Sequence, residues 1–493
     1  ALRPPGKRPG LVPRHAELAA LAALALIILA FGAHLWQGAD AGGLGLRTDP
    51  ISLTMALLVS FIDWVVMRYS RFYLDGEDHE GLFHGLMLAT LAAVLLFVQA
   101  GNLLMLAAAA IAIGLGLRRL LLFYPERPEA RRAAAKFTLV WHGGDVALCL
   151  AAVLLLATHG TGDIAAITAT LSDAGPGTSG HVAIALLILA AILKTAAFPL
   201  HGWLTEVMEA PTPVSAFLHA GIINSGGVLL ITTAPLVQHS TGGLAILVML
   251  GGFTALFGAA VMLTQSAVKT SLAWSTVSQM GFMLLQCGLG LWALALLHIV
   301  AHSLYKAHAF LSSGGAVAAV AAIRKPGPVA VPDLAAVLRA FGLALLLYTG
   351  IALGFTALLG PKTPQALALG AILIFGVAYL VAQGLADAAP VKLTQRTGLA
   401  ALATAVAYFA FQAMADHLWG PLLPSAPLPG PLEWALIVLA VLSFGTVAIA
   451  QALFPLWAHH PATAGLRVHL ANGLYLNALL DRAIGGFRIS RPH

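Results

Sequence analysis

Charge is scarce in this chain: 9% of its 493 residues are Asp, Glu, Lys or Arg. Soluble domains carry about 25%, so there is too little polar surface to cover a globule that faces water. Cysteine is nearly absent as well. Cys149 and Cys287 stand alone inside apolar runs, where a thiol behaves as a small buried hydrophobe. Two isolated thiols exclude a disulfide framework. No Cys/His cluster has ligand spacing, so no metal is expected in this chain, nor any other cofactor. Apolar residues, in contrast, make up 59% of the sequence, and mean hydropathy is +0.90. Lipid is the natural solvent for such a chain. The net charge of +6 and pI near 9.4 would suggest a nucleic-acid partner in a soluble protein. Here the placement of the basic residues gives a different account.

A helix needs about 20 apolar residues to cross a bilayer. Candidate spans are centred near residues 27, 59, 91, 112, 147, 190, 224, 253, 280, 306, 346, 377, 408 and 443. Their spacing leaves no room for a soluble domain. The expected fold is therefore all-α, a polytopic membrane protein of about 14 transmembrane helices. The first run, Leu18 to Trp36, follows a basic leader but is too long for a signal peptide and is expected to be retained. With the N-terminus in the cytoplasm, 21 of the 26 Lys and Arg fall on the cytoplasmic side. Only Arg47 and Lys362 fall outside, while Lys194, Lys306 and Arg339 lie within spans. That bias is the positive-inside pattern of a bacterial inner-membrane protein, with the C-terminus cytoplasmic. The segment from Leu456 to His493 is too polar to span. It reads either as an amphipathic helix on the membrane or a partner, or as a loosely ordered basic tail.

An ionisable group at mid-membrane costs about 2.5–3.5 kcal/mol, so each one is a functional candidate. These are Asp63, His142, Asp145, Lys194, His219, His298, His302, Lys306 and His308. Ten apolar residues precede Lys194, and Pro199 follows it. Proline removes a backbone donor and clashes with the preceding turn, so the helix is expected to break there. A broken helix frees carbonyls and dipole ends for an ion site; the alternative is a lysine snorkelling to the interface. His298, His302 and Lys306 repeat at i, i+4, i+8, one face of a helix in steps of about 6 Å. Imidazole accepts on one nitrogen and donates from the other, which suits a proton relay. His308 is off that stripe. His142 and Asp145 are i, i+3 neighbours, so they either bond locally or Asp145 serves as counter-charge to Lys194. Asp63 has no base near it in sequence and either relays protons or pairs across helices.

Three runs carry a resemblance: KTAAFPLHGWLTEVMEAPTPVSAFLHAGIINSGG from Lys194, KTSLAWSTVSQMGFMLL from Lys269, and HIVAHSLYKAHAFLSSGG from His298. They resemble the large antiporter-like subunits of respiratory complex I and of multisubunit cation/proton antiporters. The resemblance is dense from about Asn102 to Gly315. It implies two inverted five-helix repeats, each with a broken helix, forming half-channels joined by a polar axis. It divides the chain into N-terminal helices (1–101), the antiporter-like core (102–315), second-repeat and C-terminal helices (316–455) and the tail (456–493). It implies one more helix ahead of Leu18. It also places Lys194 as the central proton-transfer lysine. His219, Lys269, His298, His302, Lys306 and Asp145 join it in the relay. The glutamate that pairs with the central lysine in complex I is Ile111 here, so either Asp145 or Asp63 replaces it or Lys194 works without one. The second-repeat lysine has one candidate, Lys362 beside Pro361.

These departures, with LLLFYPERPEA, look like a narrower branch, the DabB-type membrane subunits of inorganic-carbon pumps. That likeness implies a soluble DabA-like partner, similar to β-carbonic anhydrases and carrying the zinc. Proton or cation flow through this chain would then drive CO2 hydration to bicarbonate in that partner, and this chain would not itself be an enzyme. Other readings are a proton-pumping subunit of an NADH:quinone oxidoreductase, a Mrp-type Na+/H+ antiporter subunit, and a passive anchor.

Overall fold

The computed structural model describes residues 11–37, 45–315, 333–384, 391–457, 460–483 and 485. Its helices are α1 (Leu11–Gln37), α2 (Pro50–Tyr73), α3 (Glu80–Val98), α4 (Leu103–Leu121), α5 (Pro128–His159), α6 (Ile164–Ala174) and α7 (Gly177–Lys194). An interrupted stretch follows, with α8 (Gly202–Thr205), α9 (Thr212–Ala220), α10 (Ser225–Thr232) and α11 (Ala234–Val237). Then come α12 (Thr241–Met262), α13 (Val268–Gly288), α14 (Trp292–Ser312), α15 (Leu334–Leu359), α16 (Pro364–Gly384), α17 (Val391–Trp419) and α18 (Pro431–Ala452). The tail adds α19 (Phe454–Trp457), α20 (Ala464–Ala471) and α21 (Leu476–Ala483). Among the described residues β-structure is limited to the isolated bridges Leu46–Ala100 and Asn102–Asp163.

Local chemistry sets several of the ends. Asp49 caps α2 by accepting from the Ser52 amide at 2.8 Å, with Pro50 in the first turn, where a missing amide costs nothing. Asn102, Asp163 and Asp333 cap α4, α6 and α15 in the same way. Gly160 closes α5 at φ 70°, a left-handed turn that glycine adopts freely.

Twelve helical spans among the described residues are long and apolar enough to cross a membrane, and the chain is a multi-pass membrane protein. All the sequence-derived span centres fall within helices or the interrupted stretch, but α13 does not reach that apolarity. For α13 the reason is its polar content: Lys269, Ser271, Ser275, Thr276, Ser278, Gln279 and Gln286 share one helix. Two apolar clusters hold the bundle. One runs from α1 through α14; the other joins α15–α18 to a face of α12–α14.

Two expectations change. The helix does not continue to Pro199; α7 ends at Lys194, capped by Thr195, and Ala196 takes φ 51°. A left-handed alanine is strained and cannot continue a right-handed helix, so the interruption precedes the proline. A second interruption falls at Gly221–Asn224, where one 3₁₀ turn separates α9 from α10. The described residues of the tail contact the rest of the chain. Asp481 of α21 lies 2.7 Å from the Nζ of Lys136, which is fully buried and also 2.6 Å from Glu206. Asn477 donates to Thr205 at 3.2 Å, and Gln265 donates to the Ala471 carbonyl.

Candidate functional site

The first polar cluster lies between α5 and α7. Gly144 lets these helices approach: a Cβ there would stand 3.3 Å from both the Ala190 carbonyl oxygen and the Lys194 Cγ. The contact delivers Lys194, fully buried, to Asp145, whose Oδ1 accepts from Nζ at 2.5 Å. The other oxygen, Oδ2, is 2.7 Å from His142 Nδ1. The ammonium also lies 4.0 Å over the Trp141 ring, a favourable cation–π position. Trp141 is fixed in turn by donating to the Ala110 carbonyl at 3.2 Å. The carboxylate beside the lysine therefore comes from α5. Ile111 on α4 is partly buried, one turn from Gly114, which abuts Trp141 and His142. Asp63 is not brought to Lys194: it is fully buried on α2, and neither of its oxygens has a hydrogen-bond partner.

The second cluster lies where α9, α13 and α14 meet. Lys306, fully buried, donates to the Leu272 carbonyl at 3.0 Å and to Ser275 Oγ at 2.8 Å. The next residue, Thr276, is 3.0 Å from His219 Nδ1, and the His219 ring stacks on Phe310 at 4.3 Å. Adjacent side chains of α13 thus hold the lysine and the histidine. His302 lies one turn from Lys306 against the main chain of His219, and its ring is 6.0 Å from His298. His298 Nδ1 is 2.7 Å from Gln286 Oε1. Lys269, at the start of α13, donates to Thr212 at 3.0 Å. His308 is exposed on the other side of α14, beside Phe61 and Ile62 of α2. Lys362 lies in the turn before α16, away from both clusters.

The clusters are joined through the interior rather than by a direct bond. Gly226 of α10 packs on the Ala191 carbonyl of α7 and the methyl of its cap residue Thr195. Asn224 at the second interruption donates to Ser303, beside His302, at 2.9 Å. In and around the second cluster, Asn224 Oδ1, Ser215 Oγ and the Nε2 atoms of His219, His298 and His302 are buried without partners. Buried polar atoms are nearly always satisfied by protein or ordered water, so these are the atoms to which internal water would bond. Sequence reasoning missed Ser275, Thr276, Asn224, Ser303 and Gln286, because small polar residues usually bond their own helix. For Gln286, its place on the face opposite His298 was an available signal.

Outside the spans, His201 is buried in the turn before α8, between Phe198 and Trp274. Burial pushes it down to about 4, so it is neutral at physiological pH. Among the described residues, no group of three His, Cys, Asp or Glu could hold a metal ion.

Residues 100–359 match the family described as NADH:quinone oxidoreductase/Mrp antiporter, transmembrane. Residues 42–84 match the N-terminus of complex I chain 5. The "Probable inorganic carbon transporter subunit DabB2" of Halothiobacillus neapolitanus is 38% identical over 475 residues, 94% of this chain and 85% of the relative. A DabB counterpart of Hydrogenovibrio crunogenus is 46% identical over 57% of this chain and 55% of its own length. Subunit L of the Mycobacterium tuberculosis NADH-quinone oxidoreductase is 34% identical over 57% of this chain and 45% of its own length. The Mrp complex of a Dietzia species shares the fold, with TM-score 0.57 at 24% identity, over 98% of this chain and 55% of that one. The chain belongs to the family of ion-translocating, antiporter-like membrane subunits found in NADH:quinone oxidoreductases and Mrp complexes, in its DabB inorganic carbon transporter branch.

Proposed function

We propose that this chain conducts protons across the bacterial inner membrane and couples their flow to CO2 hydration by a soluble, zinc-containing DabA-like partner. One observation carries the reading: two fully buried lysines are served differently. Lys194 has a carboxylate at 2.5 Å, whereas Lys306 is held by a carbonyl and a hydroxyl. One site compensates a proton's charge with an anion; the other solvates it with neutral dipoles. A buried ion pair would serve stability no better than apolar packing, so retaining both lysines suits transport.

In this reading a proton reaches Lys194 through His142 and Asp145. It crosses along water held by the unpartnered polar atoms to His219 and Lys306, and leaves by His302 and His298. Each transfer changes the charge that its neighbour meets, which couples the steps. Lys269 marks the cytoplasmic mouth of the second cluster. The hydration chemistry belongs to the partner, because the sequence holds no ligand set with metal spacing. The DabB2 relative matches along 94% of the chain, and over the same 57% share of the chain the DabB relative is 46% identical against 34% for the respiratory subunit L. That difference favours carbon accumulation over quinone-linked pumping.

The test is a Lys194→Ala variant in a cell that depends on the complex. The variant is expected to assemble with its partner and fail to support growth in ambient air. Assembled variant with wild-type growth would refute conduction and favour a passive anchor.

A further inference from the structure

At the N-terminal end of α14, away from Lys306, lies a cavity of about 560 Å3. Its walls include Trp292, Lys362, Gln412, Asp416, His417 and Ser425. Gln412 and Asp416 are one turn apart on α17, about 6 Å along the helix. Gln412 is the deeper of the two, only 4% exposed, and its Oε1 has no hydrogen-bond partner. A buried carbonyl oxygen orphaned at a cavity wall is a seat for water. Asp416 is exposed although it belongs to an apolar span. An aspartate facing hydrocarbon costs about 2.5–3.5 kcal/mol, so its place in the cavity supplies the water it needs. Lys362 is within electrostatic reach of it.

The relay ends just behind this cavity. His298 and Gln286 straddle the turn between α13 and α14, and Gly290 and Leu291 of that turn form the cavity wall. Leu294, also in the wall, is one helical turn from His298. His298, whose Nε2 is unpartnered, is therefore about 6 Å along the helix from a residue of the wall. Trp292 braces the wall by donating to Gln238 at 2.8 Å.

We infer that this cavity is the proton port on the non-cytoplasmic face, with Asp416 as its proton-exchanging group and Lys362 as counter-charge. The inference rests on the conduction proposed above. Asp416 is the one carboxylate among the lining residues. A metal cation would need several oxygen ligands and would meet the Lys362 ammonium. A proton needs one carboxylate and a chain of water.

The full-length chain is reconstituted in liposomes with an internal pH dye and a valinomycin-imposed potential. Asp416→Asn is expected to cut proton uptake at least 10-fold, and Asp416→Glu to retain more than half of it. Ala413→Cys, in a Cys149→Ala/Cys287→Ala background, is expected to react with a membrane-impermeant thiol reagent and to lose uptake once modified. Wild-type uptake by Asp416→Asn, with uptake abolished in Lys194→Ala, would overturn the port and leave conduction standing. An unreactive Ala413→Cys would overturn the port by itself. Absence of uptake by the wild type, or full uptake by Lys194→Ala, would overturn conduction and the port with it.

Discussion

Replacing Asp145 with Asn keeps the side chain's shape and removes its charge. Asp145 is 4% exposed and touches Lys194 at 2.5 Å and His142 at 2.7 Å. Removing one partner of a buried ion pair costs about 3–5 kcal/mol, largely through the charge left uncompensated. The site relieves that cost by losing the lysine's proton or by opening to water, and either response removes the resting charge from the relay. If about 3 kcal/mol of that loss falls on transfer through Lys194, flux drops by roughly two orders of magnitude. The double variant Asp145→Asn/Lys194→Met removes both charges at similar volume. Its stability should return to within about 1.5 kcal/mol of wild type, while its flux stays lost. Thermal unfolding in detergent and proton uptake in liposomes read the two quantities separately, and the cycle isolates the pair. Wild-type flux in Asp145→Asn, or a double variant as unstable as the single, would refute the idea that the pair compensates a transported charge.

Lys136→Met leaves Glu206 and Asp481 with Arg132, at 3.8 and 3.9 Å, as their remaining cation near the start of α5. Glu206 is partly exposed and relaxes, so the loss should be about 2–3 kcal/mol, and trypsin should reach Arg482 faster. An unchanged cleavage rate would mean the tail is held by Arg132, Asn477 and Gln265 instead. Ile111→Glu, placed in the Asp145→Asn background, returns a carboxylate to the neighbourhood of Trp141 and His142. It should restore at least 10-fold of the lost uptake, and no recovery would show that the two positions do not serve one site. His201, held down to about 4 by burial, is neutral in the fold but takes a proton near pH 6.5 once unfolded. Stability therefore falls as pH drops from about 6.5 to 4, by up to about 1.4 kcal/mol per unit. A His201→Gln variant should melt with a flatter pH slope over that window.

Legibility in the sequence tracked how locally each feature is determined. The membrane spans and the stripe His298–His302–Lys306 depend on neighbours within a few turns, and each can be read from spacing alone. The interruption at Lys194 was legible as a break but not in its place, because composition points to Pro199 while the backbone turns at Ala196. Pairings across the fold were harder to reach. Lys194 and Asp145 are 49 residues apart, and Lys136 and Asn477 are 341 apart. Nothing local selects these partners. Gly144 decides the first pairing by letting two backbones close, and burial of Lys136 decides the second. Ser275 and Thr276 show a further limit. Thr276 also donates to the Leu272 carbonyl of its own helix at 3.1 Å, so its sequence context is that of an ordinary helical threonine. Only the arrival of α9 and α14 gives it His219 as a neighbour. Ile111 carries the same lesson to function. A buried ammonium needs either an anion, as at Lys194, or neutral dipoles, as at Lys306, and helix packing, rather than one sequence position, determines which residue provides the anion. The missing glutamate on α4 is therefore compatible with a working site once α5 brings Asp145 to 2.5 Å.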